Sequence, residues 1–151
     1  MNAFELLKKD HQKVSELFKQ LEDTTERAVK TREELFGKLK QELDIHARIE
    51  ETIFYPAIKE AEETHEITLE AIEEHNVVKQ LLSELDSMPV DDERWTAKLT
   101  VLKENVEHHV EEEEGEMFKD ARKVLSTEQV NELGERMNAA KQEQKGAASG
   151  A

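Results

Sequence analysis

The sequence repeats itself at an offset of 63 residues, and this repeat constrains the fold more than any other feature. The segment HARIEETIFY begins at His46, and the segment HVEEEEGEMF begins at His109. In this alignment Glu50 corresponds to Glu113, each four residues after its His. Since a helix turns once in about 3.6 residues, a His and a Glu at this spacing point the same way from one helix face. A segment of this kind that occurs twice predicts two similar structural halves.

A second match lies upstream of each segment. Asp10-His11 corresponds to Glu74-His75 at an offset of 64, and a Val follows three residues after each His. Each half therefore supplies one His from a first helix and a His-x-x-x-Glu motif from a second helix. Four His and two Glu in such an arrangement are typical of a metal-binding site.

The composition favours an all-helical domain. The chain has 151 residues, of which five are Gly and two are Pro, and 38% are charged. A chain of this length forms one domain with a sizeable core, and this composition indicates helices with few turns. The sequence contains no Cys, which excludes disulfides, thiolate-bound zinc and iron–sulfur clusters. Any metal must therefore be bound by His and carboxylate groups.

The charge of the chain limits its partners. A net charge of −15 repels the phosphates of nucleic acids and anionic membrane surfaces, and it attracts cations. Most of the acidic residues serve the solubility of a helical surface. Because the sequence has no apolar run of about 18 residues and no secretory leader, we predict a soluble cytoplasmic protein that binds neither nucleic acid nor membranes. The sequence identifies no protein partner.

Apolar residues at steps of three and four predict five helices. We expect four long helices, at about residues 2–23, 30–62, 65–86 and 92–124, and a short C-terminal fifth helix at 126–140. Short connections between long helices favour an all-α, antiparallel up-down-up-down four-helix bundle. We assign residues 1–125 to the bundle and residues 141–151, which have few apolar side chains, to a flexible tail.

Local motifs mark the ends of these helices. The spacing of a capping box occurs at two predicted helix starts, Thr31 with Glu34 and Ser126 with Gln129. Asp91 is expected to cap the fourth helix, with Val90 packing on Trp95. Pro56 removes a backbone donor within the second helix, so we expect a kink or a local irregularity there.

One His fills a gap in the apolar stripe of each long helix, and the four His lie at similar distances from the helix ends. Their side chains are therefore expected at one level of the bundle, together with two Glu. Burying a carboxylate in an apolar core costs several kcal/mol unless something compensates its charge, and two divalent cations would do so. The candidate metal ligands are His11, His46, Glu50, His75, His109 and Glu113.

The pseudo-symmetry of the two halves predicts how these ligands divide. We expect His11 and His46 to bind one ion and His75 and His109 to bind the other, with the two Glu bridging the ions. The alternative is a metal-free core in which the same His and Glu form ion pairs.

Other residues compete for a place in the site. His108 with Glu112 offers the same spacing one residue earlier, but the repeat and the apolar stripe both favour the later register. His65 lies at a helix start beyond the stripe and is expected to be exposed or to cap the helix. Tyr55 lies near the predicted site, where we expect a packing role. No residue outside the metal set is identified as a general acid or base.

The motifs together resemble the hemerythrin-like family of HHE cation-binding domains. The resemblance covers about residues 1–125 and depends on Asp10-His11, on HARIEETIFYP from 46 to 56, on Glu74-His75 and on HHVEEEEGEMF from 108 to 118. It implies a four-helix bundle around two iron ions in a non-haem di-iron centre with an oxo or hydroxo bridge. It also implies that this centre meets oxygen, peroxide or nitric oxide.

The sequence departs from the oxygen-carrying members of that family. They bring a second His four residues after the His of the third helix, where this chain has Lys79. They also have an Asp five residues after the last His, whereas in this chain the acidic residue is Glu113, four residues after His109. One metal thus has one fewer imidazole than in a carrier. The chain is therefore more similar to bacterial hemerythrin-like proteins linked to iron, oxygen or peroxide handling.

These observations predict a di-iron protein that binds or reacts with oxygen, peroxide or nitric oxide. Peroxide decomposition of the catalase type is the candidate enzymatic activity. A module that senses or binds iron or oxygen without turnover is the alternative, and a purely structural bundle is a third interpretation. Iron suits His and carboxylate ligands and redox work, although manganese or zinc could occupy the same ligands.

Overall fold

The computed structural model of the protein describes residues 1–150, and these residues form five helices. The helices are α1 (Ala3–Glu22), α2 (Val29–Ile49, continued by Glu50–Phe54 and Tyr55–Ile58), α3 (His65–Asp86), α4 (Glu93–Glu112, continued by Glu113–Met117 and Phe118–Val124) and α5 (Thr127–Gly150). Short connections place α1 against α2 and α3 against α4. The predicted all-α bundle with a C-terminal fifth helix is confirmed. Within residues 1–150, no helix combines the length and the apolar character that a bilayer span requires.

Two helix starts have reciprocal caps. Ser126 Oγ accepts the backbone N–H of Gln129 at 3.1 Å, and Gln129 Oε1 accepts the backbone N–H of Ser126 at 2.7 Å. The capping box predicted at this position is therefore confirmed. The start of α1 has the same arrangement between Asn2 and Glu5, which satisfies backbone donors that a helix start otherwise leaves free.

Two other predicted caps differ from the structure. α2 begins before the predicted capping box of Thr31 and Glu34 and has no side-chain cap, so that prediction is wrong. Its first turn is held instead by buried Arg32, which donates to a carbonyl of the α3–α4 connection at 2.8 Å. α4 is capped by Asp92, one residue after the predicted Asp91.

α2 and α4 each contain one π turn, in which a backbone N–H bonds to the carbonyl five residues earlier. The turns cover Glu50–Phe54 and Glu113–Met117. In α2 the turn bonds the Tyr55 N–H to the Glu50 carbonyl. The irregularity expected near Pro56 is therefore present. The same turn forms in α4, where Lys119 corresponds to Pro56, so proline is not its cause.

A polar layer divides the apolar core into two clusters. One cluster contains Phe54 and Phe118 together with the apolar face of α5. The other contains Trp95, whose ring lies 5.8 Å from that of Phe36, and Val90 belongs to it as predicted. The two clusters hold the four long helices in register, and this register fixes which side chains meet in the layer between them.

α5 is longer than predicted. It continues to Gly150, so the residues assigned to a flexible tail are helical up to that position, and Ala151 lies outside the described residues. Its buried apolar stripe consists of Val130, Leu133 and Met137. Beyond that stripe, Lys141 and Lys145 form ion pairs with acidic residues of α1 and α2, which explains why a segment with so few apolar residues still packs on the bundle.

Gly134 is the point at which α5 approaches the start of the chain most closely. A Cβ built on this residue would lie 2.6 Å from the carbonyl carbon of Asn2 and would also collide with the Met1 carbonyl oxygen. These are backbone atoms, which cannot move aside as the end of a flexible side chain can. The missing side chain therefore allows the two segments to pack together.

We predict opposite effects of alanine at two glycines. Gly134→Ala should lower the free energy of unfolding by about 1–3 kcal/mol, because it overpacks a tight contact. Gly37→Ala should raise it by about 0.5–1 kcal/mol, because Gly37 is exposed within α2 and a Cβ there meets nothing within 4 Å. Urea unfolding of both variants measures the difference, and equal effects would contradict the close approach of α5.

Candidate metal centre

The polar layer brings together all six candidate ligands. Each is at most 7% exposed, although His and Glu are rarely buried without partners. They come from all four long helices: His11 from α1, His46 and Glu50 from α2, His75 from α3, and His109 and Glu113 from α4. The four His and two Glu therefore lie at one level of the bundle, as their positions along the helices predict.

Each Glu lies between two His from different helices. The Nε2–Oε distances are 3.1 Å for His46–Glu50, 3.0 Å for His75–Glu50, 3.1 Å for His11–Glu113 and 3.2 Å for His109–Glu113. Both carboxylates thus have the central position that the sequence predicts for bridging groups.

The donor atoms form two groups that share one carboxylate. The first group contains His11, His46, Glu50 and Glu113, and the second contains Glu50, His75 and His109. Within each group the atoms lie within 4.8 Å of one another. The ring centroids are 4.9 Å apart in each of the two His pairs. The pairing of His11 with His46 and of His75 with His109 agrees with the pseudo-symmetry of the sequence, whereas only Glu50, and not both Glu, is shared by the two groups.

Every His of the site bonds through Nδ1 to a carboxylate at the edge of the layer. The pairs are His11 with Glu114 (2.6 Å), His46 with Asp10 (2.9 Å), His75 with Glu51 (2.7 Å) and His109 with Glu74 (2.7 Å). Each of these acidic residues is the chain neighbour of another candidate ligand. Metal-binding His almost always have such a partner, which fixes the orientation of the ring and its tautomer.

The inward-facing atoms of the site are those that a cation would bind. When Nδ1 donates to a carboxylate, the Nε2 of a neutral imidazole carries a lone pair and faces inward. The Nε2 atoms of His11 and His46 and one oxygen each of Glu50 and Glu113 are buried and have no hydrogen-bond partner. Nitrogen lone pairs and carboxylate oxygens at this separation repel each other unless a positive charge lies between them. The residues present therefore fit bound metal ions.

A family model identifies the chain. The model of the hemerythrin HHE cation-binding domain matches residues 2–121. The chain belongs to the hemerythrin HHE cation-binding family. The resemblance seen in the sequence motifs is therefore confirmed, and the match ends before α5 begins.

Several proteins are similar to this HHE domain over most of its length. The Mycobacterium tuberculosis protein Rv2633c, which is described as uncharacterized, is 34% identical over 143 residues, covering 92% of this chain and 84% of that protein. The crystal structure of an HHE domain-containing Rv2633c homolog from Mycobacterium kansasii superimposes with a TM-score of 0.85 at 32% identity, covering 98% of this chain and 90% of the other.

A longer relative contains a similar segment. A Nostoc protein named DNA nickase is 29% identical over 141 residues, covering 93% of this chain and 39% of that protein. This chain therefore spans about two-fifths of the length of the Nostoc protein.

When no metal is bound, the electrostatics of the HHE domain favour the ionised form of Glu50 and the protonated forms of His46 and His109. Burial by itself would lower the pKa of His46, but the charge of Glu50 and hydrogen bonds with nearby carboxylates raise it to about 10. Burial likewise opposes the charge of His109, but the neighbouring carboxylates of Glu113, Glu50 and Glu74 raise its pKa to about 12. Burial would raise the pKa of Glu50, but the charge of His46 holds it well below its usual range. Protons and metal ions thus compete for the same positions.

Tyr55 contributes a hydroxyl group to the centre, so the packing role predicted for it is incomplete. Its OH donates to Glu113 Oε2 at 2.7 Å and lies 3.2 Å from His75 Nε2. Burial and the charge of Glu113 raise its pKa well above the usual range, so it is a neutral donor. The π turn of α2 places it above Glu50, and Phe118 occupies the matching position without a hydroxyl group. The only sequence feature that could have indicated this contact is the difference between Tyr55 and Phe118 at matching positions of the repeat.

The competing His residues lie outside the centre. The side chain of His108 is 64% exposed and lies 3.1 Å from Glu112 on the surface. The structure therefore brings His109, rather than His108, into the polar layer. His65 is exposed at the start of α3, where its Nδ1 lies 2.8 Å from the Lys59 carbonyl.

We predict that two adjacent His differ sharply in their effect on metal binding. Loss of a carboxylate that orients a metal-binding His typically weakens metal binding about 10- to 100-fold. His109→Ala should weaken it by more than this, because it removes a donor atom from the centre. His108→Ala is the matched control and should leave binding unchanged. Metal per chain after dialysis and calorimetric titration measure both, and equal losses would show that the register is wrong.

We predict that Tyr55→Phe destabilises the metal-free domain. The substitution removes one of the two donors of a buried Glu113 oxygen and leaves it only His109 Nε2 at 3.2 Å. Because the lost hydrogen bond is made to a charged group, the free energy of unfolding should fall by about 1–3 kcal/mol. Urea unfolding with and without metal checks this. The loss should be smaller with metal, because a bound cation gives the same oxygen another partner. An unchanged metal-free stability would argue against the hydroxyl contact.

Proposed function

We propose that this HHE domain is a non-haem di-iron protein that binds or reacts with oxygen, peroxide or nitric oxide. The observation that supports it most directly is the pair of donor groups that share Glu50, with buried inward-facing atoms that have no hydrogen-bond partner. Six His and Glu donors without any thiolate suit iron in both of its common oxidation states. The proposal extends the family's cation binding to a specific metal and number of ions.

The chain's own residues have three tasks in this function. The four His and two Glu would hold the metal, and iron bound there would supply electron exchange with a small oxidant or ligand. The outer carboxylates keep each imidazole in the tautomer whose lone pair faces inward. The apolar clusters on both sides exclude bulk water from the centre, which strengthens the electrostatic interactions within it.

A small cavity beside the His side chains favours a small ligand. Its volume is about 30 Å³, and the four His of the centre line it on one side. The rest of its wall is mainly apolar and includes Val14, Leu43, Val78, Leu82 and Val106. A space of this size suits a molecule with the dimensions of water, oxygen, nitric oxide or peroxide.

The acidic surface supports a function without nucleic acid. The net charge of −15 opposes contact with DNA phosphates, so the activity named for the longer Nostoc relative does not enter the proposal.

The proposal predicts two irons per chain and a response to peroxide. Anaerobic titration of the metal-free protein with iron(II) should saturate at two ions. Glu50→Gln should lose at least one of them, because both donor groups use this carboxylate, whereas exposed Glu111→Gln should retain both. Absorption spectra after addition of oxygen, nitric oxide or peroxide, and an oxygen electrode during peroxide addition, then report reactivity.

The outcomes of this experiment separate the candidate functions. Steady oxygen release from peroxide would support the catalase-like activity. Spectral shifts without steady decomposition would favour a sensing or binding module. Binding of fewer than two irons would overturn the di-iron proposal, and a stronger affinity for manganese or zinc would overturn the choice of iron.

A further inference from the structure

We propose that α5 supports the metal centre and that Lys141 is a positioning residue, which acts on His46 through Asp10. This inference rests on the metal-binding part of the proposed function. It assigns a role to a helix that lies outside residues 2–121, the part of the chain that the family model matches.

A continuous chain of polar contacts connects α5 to the centre. Lys141 Nζ forms an ion pair with Asp10 Oδ1. The other oxygen of Asp10 accepts a hydrogen bond from His46 Nδ1 at 2.9 Å. His46 Nε2, on the far side of the ring, lies 3.1 Å from Glu50 Oε1. Each carboxylate oxygen of Asp10 thus has its own partner, which fixes the plane of the carboxylate and the direction from which it holds the imidazole.

Because these polar contacts are buried, Asp10 needs the ion pair with Lys141. Asp10 is 2% exposed, and the side chain of Lys141 is only 12% exposed. A buried carboxylate that loses its cation is strongly destabilised, because water cannot replace the missing partner. Although burial would raise the pKa of Asp10, its bonds to His46 and Lys141 lower it. Without Lys141 the carboxylate would have one fixed oxygen and freedom to rotate about it.

Two of the other carboxylates that hold the imidazoles, Glu51 and Glu74, have a second partner from the four long helices. Glu51 pairs with Lys79 of α3 at 2.8 Å, and Glu74 lies 3.8 Å from His108 of α4. These acidic side chains are also about a quarter exposed, so water can assist them. Asp10 is buried and obtains its cation from α5. The dependence on a fifth helix is therefore specific to one His of the centre.

The packing of α5 sets the position of Lys141. Gly134 allows α5 to lie directly on the backbone of Met1 and Asn2. Met137 is fully buried in the first apolar cluster. Lys141 follows Met137 by four residues and Gly134 by seven, so all three lie on one face of the helix. The packing of Gly134 and Met137 thus places the Lys141 side chain next to Asp10.

The same helix provides a matched control. Lys145 lies one turn beyond Lys141 and pairs with Glu42 of α2 at 3.8 Å. Glu42 also pairs with Lys13 at 2.8 Å, so it keeps a cation when Lys145 is replaced. A Lys145→Met substitution therefore removes the same charge from α5 without altering the contacts of His46.

The first experiment measures iron release from the full chain. Lys141→Met, Lys145→Met and the wild type are loaded with iron(II) under anaerobic conditions and mixed with an excess of a chelator. We expect Lys141→Met to release one of its ions about tenfold faster, at the lower end of the effect of losing an outer partner. Lys145→Met should behave as the wild type, and Lys141→Arg should restore slow release. Equal rates for Lys141→Met and Lys145→Met would overturn the proposal.

The second experiment tests the contact chain without metal. Nitrogen-15 NMR of the metal-free protein reports the Nδ1 environment of each imidazole. Lys141→Met should shift the signal of His46 and leave that of His109 in place, because His109 is held by Glu74. A general loss of folding would shift both, and an unchanged His46 would refute the role of Lys141. Failure of the wild type to bind iron would refute the proposed function, and this measurement would still decide whether Lys141 controls His46.

Discussion

Two buried carboxylates determine how the rest of this HHE domain is built. Glu50 and Glu113 lie in the centre of a bundle whose other core positions are apolar, and an isolated charge there would cost several kcal/mol. Four imidazoles surround them, and four further carboxylates hold the imidazoles from outside. Carboxylates and imidazoles therefore alternate from the centre to the surface. This alternation explains why a chain with so many acidic residues folds around a polar layer, and why the layer offers donor atoms to cations.

The two-fold character of the sequence is expressed in backbone geometry as well as in ligands. Both central Glu begin a π turn, and in both halves an aromatic residue follows the turn. A π turn is less favourable than regular helix and occurs mostly where a functional group must be repositioned. At the aromatic position the halves differ, since Tyr55 has a hydroxyl group and Phe118 has none. The centre is consequently asymmetric, with an added donor on the side of His75 and Glu113.

Much of the fold and of the centre could be predicted from the sequence. The helical period indicates which way each side chain points, and the repeat indicates at which level of the bundle it lies. They placed His109 rather than His108 in the polar layer, and they paired His11 with His46 and His75 with His109, as the two donor groups of the structure do. The carboxylates that hold the imidazoles were visible only as neighbours of candidate ligands, such as Asp10 before His11. Their partners lie on other helices, and spacing along one helix does not reveal them. Of the two π turns, only the one in α2 has a nearby signal in the sequence, which is Pro56. That signal is not the cause of the turn, because the matching turn in α4 forms beside Lys119.

The extent of α5 could not be predicted for a related reason. Residues beyond 140 have few apolar side chains, so periodicity, which measures burial of apolar surface, gives them no reason to be ordered. Their order depends on Lys141 and Lys145 meeting acidic groups that α1 and α2 present on the packed bundle. The end of α5 is thus held by single charges, and in return it supplies the cation that the buried carboxylate of Asp10 needs. The four-helix unit and α5 are therefore parts of one electrostatic arrangement, in which the last helix completes the neutralisation that begins at Glu50.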